Sequence, residues 1–181
     1  FDDTVWAYLC SEAERQAAWE RGDDPEPLPA IYRDMINHAL SAKPADMIVT
    51  THVCRGNFRS SWIAEGGYEP VAEVLLGETD YDGYFLEYDT DRAGGFEPLR
   101  FLPKGDKRLV LGLVTSKFGE LEDRGVIEKR LEEAGRYVDH QQLCLSPQCG
   151  FASTEEGNIL SAEAQWNKLR LVVETAESAW G

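Results

Sequence analysis

The sequence lacks the features that mark membrane proteins and nucleic-acid-binding proteins. No stretch approaches the roughly 20 apolar residues that cross a bilayer, and the opening residues carry neither the basic start nor the cleavage signal of a secretory leader. Basic residues are few, since 18 Lys and Arg face 33 Asp and Glu and leave a formal net charge of -15. A field of this sign repels a phosphate backbone. We therefore expect a soluble, cytoplasmic protein that binds neither nucleic acid nor membranes.

Nucleotide-binding loops are also missing, and cysteine is scarce. No Gly-x-Gly-x-x-Gly follows a strand pattern and no phosphate loop is present, which disfavours nucleotide binding. The four cysteines are Cys10, Cys54, Cys144 and Cys149. A chain of 181 residues can bury a core without disulfide bonds, so metal binding or catalysis is the better use for a cysteine. Cys10 and Cys144 lie in apolar segments that predict packing in the core.

Segments typical of strands alternate with segments typical of helices. Strands or strand ends are predicted in residues 1–3, 46–54, 83–89, 108–116 and 141–147. Apolar residues at helical spacing occur in residues 28–43, 68–76 and 126–138 and from Ser161 onward. This alternation predicts one α/β domain over residues 1–181, with a parallel sheet and an active site at the carboxyl ends of its strands. A barrel and an open, doubly wound sheet both fit the pattern.

Four potential metal ligands lie where predicted strands end. His52 and Cys54 are two residues apart, so both side chains point to one face of an extended segment. Glu87 lies among apolar neighbours, where a buried acid needs a cation or a hydrogen-bond donor, and Cys149 comes shortly after the apolar run LCL. Nitrogen, thiolate and carboxylate ligands together suit zinc, whereas calcium and magnesium prefer oxygen. Such an ion would favour the thiolate form of a thiol substrate at neutral pH.

Each of these residues also has an ordinary structural interpretation. His52 and Cys54 could form a buried pair in the core, and Cys149 could be a plain buried thiol at a strand end. Glu87 could form an ion pair with an arginine such as Arg55 or Arg92. The residues alone leave these alternatives open beside metal binding.

Three motifs resemble, in order, the metal-ligand segments of the cobalamin-independent methionine synthase family. They are TTHVCRGN, GYFLEYD and LSPQCGF, and the opening FDDTVWAYL and the final helix are also similar, so that the resemblance covers essentially all 181 residues. The resemblance implies four zinc ligands: His52, Cys54, Glu87 and Cys149. It also implies that Asp2 binds the amino group of homocysteine and that Asp3 assists.

The resemblance implies a fold and an activity as well. The family fold is a (β/α)8 TIM barrel, of which the five predicted strands would be roughly strands four to eight. The chain has no initiator Met, and we expect it to be a partial domain that lacks the first three strands. Since an incomplete barrel exposes two sheet edges, we expect further residues or a second copy of the chain, as a homo-oligomer, to cover them. The implied activity is methyl transfer from a donor to the thiol of homocysteine, giving methionine.

One segment departs from the family pattern. After the strand RLVLGLV the folate-dependent synthases have Asp-x-His-Ser, whose His is thought to protonate the leaving folate nitrogen, whereas this chain has Thr115, Ser116 and Lys117. Lys117 would act as the catalytic acid if burial lowered its pKa, and a flexible surface lysine is the alternative.

The departure leaves the methyl donor open among a methylated folate, a methylated corrinoid and another small molecule. Two other functions also remain open. One is a structural zinc domain without catalysis, and the other is a related zinc methyltransferase that acts on a different thiol.

Overall fold

The computed structural model describes residues 1–152 and 154–181 and contains a five-stranded parallel sheet. The strands are Asp2–Asp3 (β1), Thr50–Val53 (β2), Gly83–Glu87 (β3), Arg108–Val114 (β4) and Leu143–Pro147 (β5). Each strand lies inside the segment predicted for it. The predicted α/β class with a parallel sheet is therefore confirmed.

The order of the strands separates two architectures that the sequence pattern left open. In a doubly wound sheet the order reverses at a switch point, which places helices on both faces. Here each strand pairs with the next one along the chain, in the order β1-β2-β3-β4-β5. With right-handed crossovers, this order keeps the connecting helices on one face. The described residues thus form a singly wound sheet.

The described residues form six α-helices. They are Val5–Cys10 (α1), Glu12–Arg21 (α2), Leu28–Leu40 (α3), Glu69–Ala72 (α4), Arg124–Ala134 (α5) and Ala162–Trp180 (α6). A π-helical turn, Glu73–Glu78, continues α4 directly. Helix α6 begins after Ser161, whose side chain accepts a hydrogen bond from the backbone N–H of Ala164. None of these helices combines the length and the apolarity needed to cross a membrane.

Helix α2 is missing from the sequence-based prediction because it has no apolar stripe. Ala18 is the buried residue among its ten. The signals for its two ends are nevertheless present in the sequence. Ser11 accepts a hydrogen bond from the backbone N–H of Glu14, and Gly22 ends the helix with a φ of 86°.

The two faces of the sheet differ in how far they are covered. One face carries side chains such as Leu111 of β4, which is 0% exposed and packs in the main core with the helices. On the opposite face, register partners form one row across four strands: His52, Phe85, Val110 and Cys144. All but Val110 are only partly buried. We call this second side the open face.

We expect the helix-covered face to dominate stability. The substitution Leu111→Ala should lower the free energy of unfolding by about 2–5 kcal/mol, because it removes buried methyl groups and leaves a cavity. Leu121→Ala is the matched control, since Leu121 is 54% exposed, and should change it by less than about 0.5 kcal/mol. Urea denaturation measures both, and equal losses would contradict this account of the core.

Candidate metal centre

Strand register brings residues of β2 and β3 to one corner of the open face. His52 of β2 pairs with Phe85 of β3. Cys54 and Glu87 each lie two residues further along their segments, and side chains two apart share a face of an extended chain. The carboxyl ends of both strands therefore present polar side chains at one position.

A glycine in β4 makes room for the segment that carries Cys149. Gly112 is the register partner of Glu87, and a Cβ at Gly112 would lie only 2.5 Å from the Cα of Gln148. The backbone N–H of Gln148 donates to the carbonyl of Val114 at 2.8 Å. The segment after β5 can therefore cross β4 toward β3, which brings Cys149 to the same corner. An isolated glycine in an apolar strand run is the sequence signal for such a close approach.

One imidazole and two thiols lie close enough to share an ion. Potential ligand atoms of His52, Cys54 and Cys149 all lie within 4.8 Å of one another, and the two Sγ atoms are 3.9 Å apart. Two sulfurs bound to a tetrahedral zinc at about 2.3 Å would be about 3.8 Å apart. All four cysteines of the chain are free thiols. The donor chemistry and the sulfur spacing therefore fit a zinc ion.

Glu87 lies beside this cluster but is bound to protein groups. Its Oε1 is 3.8 Å from Nε2 of His52 and accepts a 2.9 Å hydrogen bond from the backbone N–H of Arg55. Its Oε2 lies 3.1 Å from Nη2 of Arg92, which also binds Asp89. Both carboxylate side chains are 1% exposed. The ion pair with Arg92 is thus confirmed, and metal ligation by Glu87 would have to share or replace these contacts.

His52 faces a hydrogen-bond acceptor at each ring nitrogen. Nδ1 is 3.0 Å from Oδ1 of Asp2, and Nε2 is 3.1 Å from the carbonyl of Gln148. A metal bound through Nε2 would replace the carbonyl contact and leave Nδ1–H on Asp2, an arrangement that commonly orients a metal-binding histidine. Asp3 accepts a 2.8 Å hydrogen bond from the backbone N–H of Val5 at the start of α1. Asp2 and Asp3 are thus each bound to another group of the protein.

The surroundings of the Cys54 thiol favour its protonated form. The hydrogen bond with Cys149 and burial raise the pKa of Cys54, and the backbone N–H groups of Gly56 and Asn57 oppose this shift. Metal binding at neutral pH would therefore release thiol protons.

Lys117 is buried rather than at the surface. The residue is 1% exposed, and its Nζ donates to Oδ1 of Asn57 at 3.0 Å and to the carbonyl of Ser61 at 2.9 Å. Burial lowers the pKa of Lys117. The flexible-surface alternative is therefore wrong. Its partner Asn57 is absent from the sequence-based site because a single polar loop residue carries no periodic signal.

A cavity of about 240 Å³ opens beside the cluster. His52 and Cys149 line it together with Phe85 and Ser146 of the open face. Within the described part of the chain, Lys117 is not one of the lining residues. A small molecule in this cavity would contact two of the candidate ligands.

Two uncharacterized proteins of Bacillus subtilis (strain 168) are similar to the chain. YxjH is 53% identical over 179 residues, which cover 99% of this chain and 48% of YxjH. YxjG is 55% identical over 179 residues, which cover 99% of this chain and 47% of YxjG. The chain thus spans just under half the length of each relative. No protein-family profile matches it.

Two solved structures are similar to the fold. One, from Listeria monocytogenes and provisionally named a vitamin-B12-independent methionine synthase, has a TM-score of 0.78 and 46% identity and covers 100% of this chain and 48% of its own. The other is a B12-independent methionine synthase from Shewanella sp. W3-18-1 in complex with selenomethionine, with a TM-score of 0.71 and 17% identity. The similarity covers 98% of this chain and 47% of the Shewanella chain. The second likeness concerns the fold alone. The resemblance seen in the sequence is confirmed, because the first of these structures is similar to the whole of the chain.

We expect the ion pair beside the cluster to be a strong determinant of stability. Arg92→Met should lower the free energy of unfolding of the metal-free protein by about 3–5 kcal/mol, because it leaves the buried carboxylates of Glu87 and Asp89 without their cation. Arg124→Met is the control, since Arg124 forms an exposed ion pair with Glu128, and should cost less than about 1 kcal/mol. Urea denaturation measures the difference, which would be absent if Glu87 and Asp89 were neutral.

Proposed function

We propose that the chain belongs to the vitamin-B12-independent methionine synthase family and carries the zinc site of a methyltransferase that acts on the thiol of homocysteine and gives methionine. The observation that carries the proposal is the approach of ligand atoms of His52, Cys54 and Cys149 to within 4.8 Å of one another at the carboxyl ends of parallel strands. Parallel α/β folds keep their chemistry at this edge. The names of the two similar structures support the reaction class.

We further propose that the sheet is part of a (β/α)8 barrel, roughly its strands four to eight, in one partial domain over residues 1–181. The pairing of strands in chain order supports this, because every strand of such a barrel pairs with its chain neighbours. The open face would then lie inside the barrel. Further residues or a second copy of the chain would cover it and pair with the outer edges of β1 and β5.

Four side chains would hold the ion: His52, Cys54, Glu87 and Cys149. Glu87 would join the set by sharing or exchanging its hydrogen bonds with the Arg55 backbone and Arg92. When bound, a zinc ion would lower the pKa of a thiol substrate and so supply a thiolate nucleophile at neutral pH.

The residues around the cavity would orient the reactants. Asp2 holds the His52 ring, and its side chain is 74% exposed and so accessible to the amino group of homocysteine. Asp3, bound to the start of α1, would assist by holding the turn on which Asp2 sits. Phe85 would give the cavity an apolar wall that keeps water from the substrate sulfur.

Methyl transfer places one further demand on the site. A sulfur–carbon bond forms while the bond between the methyl group and its donor breaks, and a donor atom that leaves as a base takes up a proton. Lys117 is the acid suggested by the sequence, and burial lowers its pKa. To give that proton, Nζ would have to leave Asn57 and Ser61. Assays with a methylated folate and a methylated corrinoid would identify the donor.

Two other functions use the same cluster. In a structural zinc site the four protein ligands stay bound and no position opens for a substrate, whereas in the proposed enzyme the substrate thiol would replace one ligand or add a fifth. The cavity beside His52 and Cys149 favours access by a substrate instead. A methyltransferase for a different thiol would differ only in the pocket, so rates across a series of thiols would distinguish it.

X-ray absorption at the zinc edge tests catalysis against a structural role. If the proposal is right, added homocysteine should introduce one more sulfur neighbour at about 2.3 Å, because the substrate thiol joins the zinc. A homocysteine analogue with a hydroxyl in place of the thiol is the control and should add none. An unchanged spectrum with saturating homocysteine would contradict the proposal and leave the structural role or a methyltransferase for a different thiol.

Substitution of a single cysteine tests the ligand set. Residues outside the coordination shell typically contribute about 10- to 100-fold to metal affinity. Cys149→Ser removes a ligand and should weaken zinc binding by more than this. Cys144→Ser is the matched control, since Cys144 lies on the same open face but outside the cluster, and should leave zinc affinity unchanged. Competition with a chromophoric chelator measures both. Equal affinities for the two variants would remove Cys149 from the site.

A further inference from the structure

A buried chain of hydrogen bonds connects Lys117 to the two segments that carry the candidate thiols. Lys117 lies beyond β4, three residues after its end at Val114, and its Nζ reaches Oδ1 of Asn57 at 3.0 Å. Asn57 lies three residues after Cys54. Its Nδ2 donates to the carbonyl of Gly150, the residue after Cys149, at 2.9 Å. Both residues in this series of hydrogen bonds are buried, since Lys117 is 1% and Asn57 5% exposed.

The partners of Asn57 fix the direction of its amide. An ammonium can only donate and a backbone carbonyl can only accept, so the Asn57 oxygen must face Lys117 and its NH₂ must face Gly150. A lysine at this position thus selects the amide orientation that ties the segment after β2 to the segment after β5. Asn57 therefore connects the segment that carries Cys54 to the residue after Cys149.

The segment around Cys149 is held on both of its sides. Before Cys149, Oε1 of Gln148 accepts hydrogen bonds from the backbone N–H and the hydroxyl of Ser116, each at 2.7 Å. After Cys149, the carbonyl of Gly150 accepts the bond from Asn57. The Gly150 carbonyl also accepts a longer hydrogen bond, at 3.4 Å, from Nδ2 of Asn158. We expect the loss of the shorter bond from Asn57 to loosen the hold on the Cys149 backbone.

We propose that Asn57, oriented by Lys117, is a positioning residue that sets the distance between Cys54 and Cys149 for a shared ion. This inference rests on the proposed zinc site and gives Lys117 a role other than that of proton donor. The 3.9 Å between the two Sγ atoms is close to the spacing of about 3.8 Å that a tetrahedral zinc requires, so little reorganisation is needed on binding. The Lys117 ammonium is turned toward Asn57 and Ser61, outside the lining of the cavity, which fits positioning better than proton transfer.

Zinc affinity of the complete protein tests the proposal. Asn57→Ala should weaken zinc binding by about 10- to 100-fold, the range typical of residues that orient metal ligands. Lys117→Met should act in the same direction. The double variant should be no weaker than Asn57→Ala alone, because both changes break one chain of contacts. Competition with a chromophoric chelator under reducing conditions gives the affinities.

Gln142→Ala is the matched control. Gln142 is 4% exposed, and its amide also ties two backbone segments together, with Nε2 donating to the carbonyls of Pro103 and Lys107 at 3.0 Å. It precedes β5 and so lies at the opposite end of the sheet. A role in folding alone would give Asn57→Ala and Gln142→Ala equal zinc affinity, whereas positioning changes zinc affinity only in the first.

Cobalt substitution gives a second readout of geometry. The unchanged protein should show thiolate-to-cobalt charge-transfer absorption from two sulfurs, and Asn57→Ala should lower it at saturating cobalt as one sulfur is lost from the shell. Unchanged absorption together with unchanged zinc affinity in Asn57→Ala and Lys117→Met would overturn the positioning role and leave the zinc site intact. No zinc binding by the unchanged protein would instead overturn the proposed function, and the positioning role with it.

Discussion

Hydrogen bonding between parallel strands in chain order determines where every candidate ligand lies. The register of β2 on β3 aligns His52 with Phe85, and the next positions on the open face are Cys54 and Glu87. The register of β3 on β4 places Gly112 beside Glu87, at the point where the backbone after β5 crosses. A slip of one residue in either pair would turn these side chains to the helix-covered face. The candidate site is therefore a consequence of sheet register.

Buried charge imposes a second constraint on the same corner. Glu87 and Asp89 are 1% exposed, and Arg92 is the cation that both carboxylates bind. Ionised carboxylates cannot be buried without such a partner. A carboxylate oxygen that binds Arg92 is less available to a metal. If Glu87 is a ligand as proposed, stability and metal binding would be coupled through this side chain.

Burial gives Lys117 a structural role that its sequence position does not indicate. As an ammonium it only donates, and in this fold its acceptors are the amide oxygen of Asn57 and a backbone carbonyl. Together with the bond from Asn57 to Gly150, those contacts tie the segments after β2, β4 and β5 to one another. The residue that departs from the family's Asp-x-His-Ser pattern therefore also contributes to the architecture around Cys149.

The sequence by itself determined the α/β class, the five strands and the candidate residues at their ends, because apolar periodicity and ligand chemistry are local properties. It also predicted the family, through motifs spread along the chain. Helix α2, with Ala18 as its buried residue, has too little apolar pattern to be found in that way. Only the tertiary structure decided the strand order, the ion pair of Glu87 with Arg92, the contact of Asp2 with His52 and the burial of Lys117. Each of these depends on residues far apart in the chain, whose distances follow from sheet register and loop packing rather than from any local pattern.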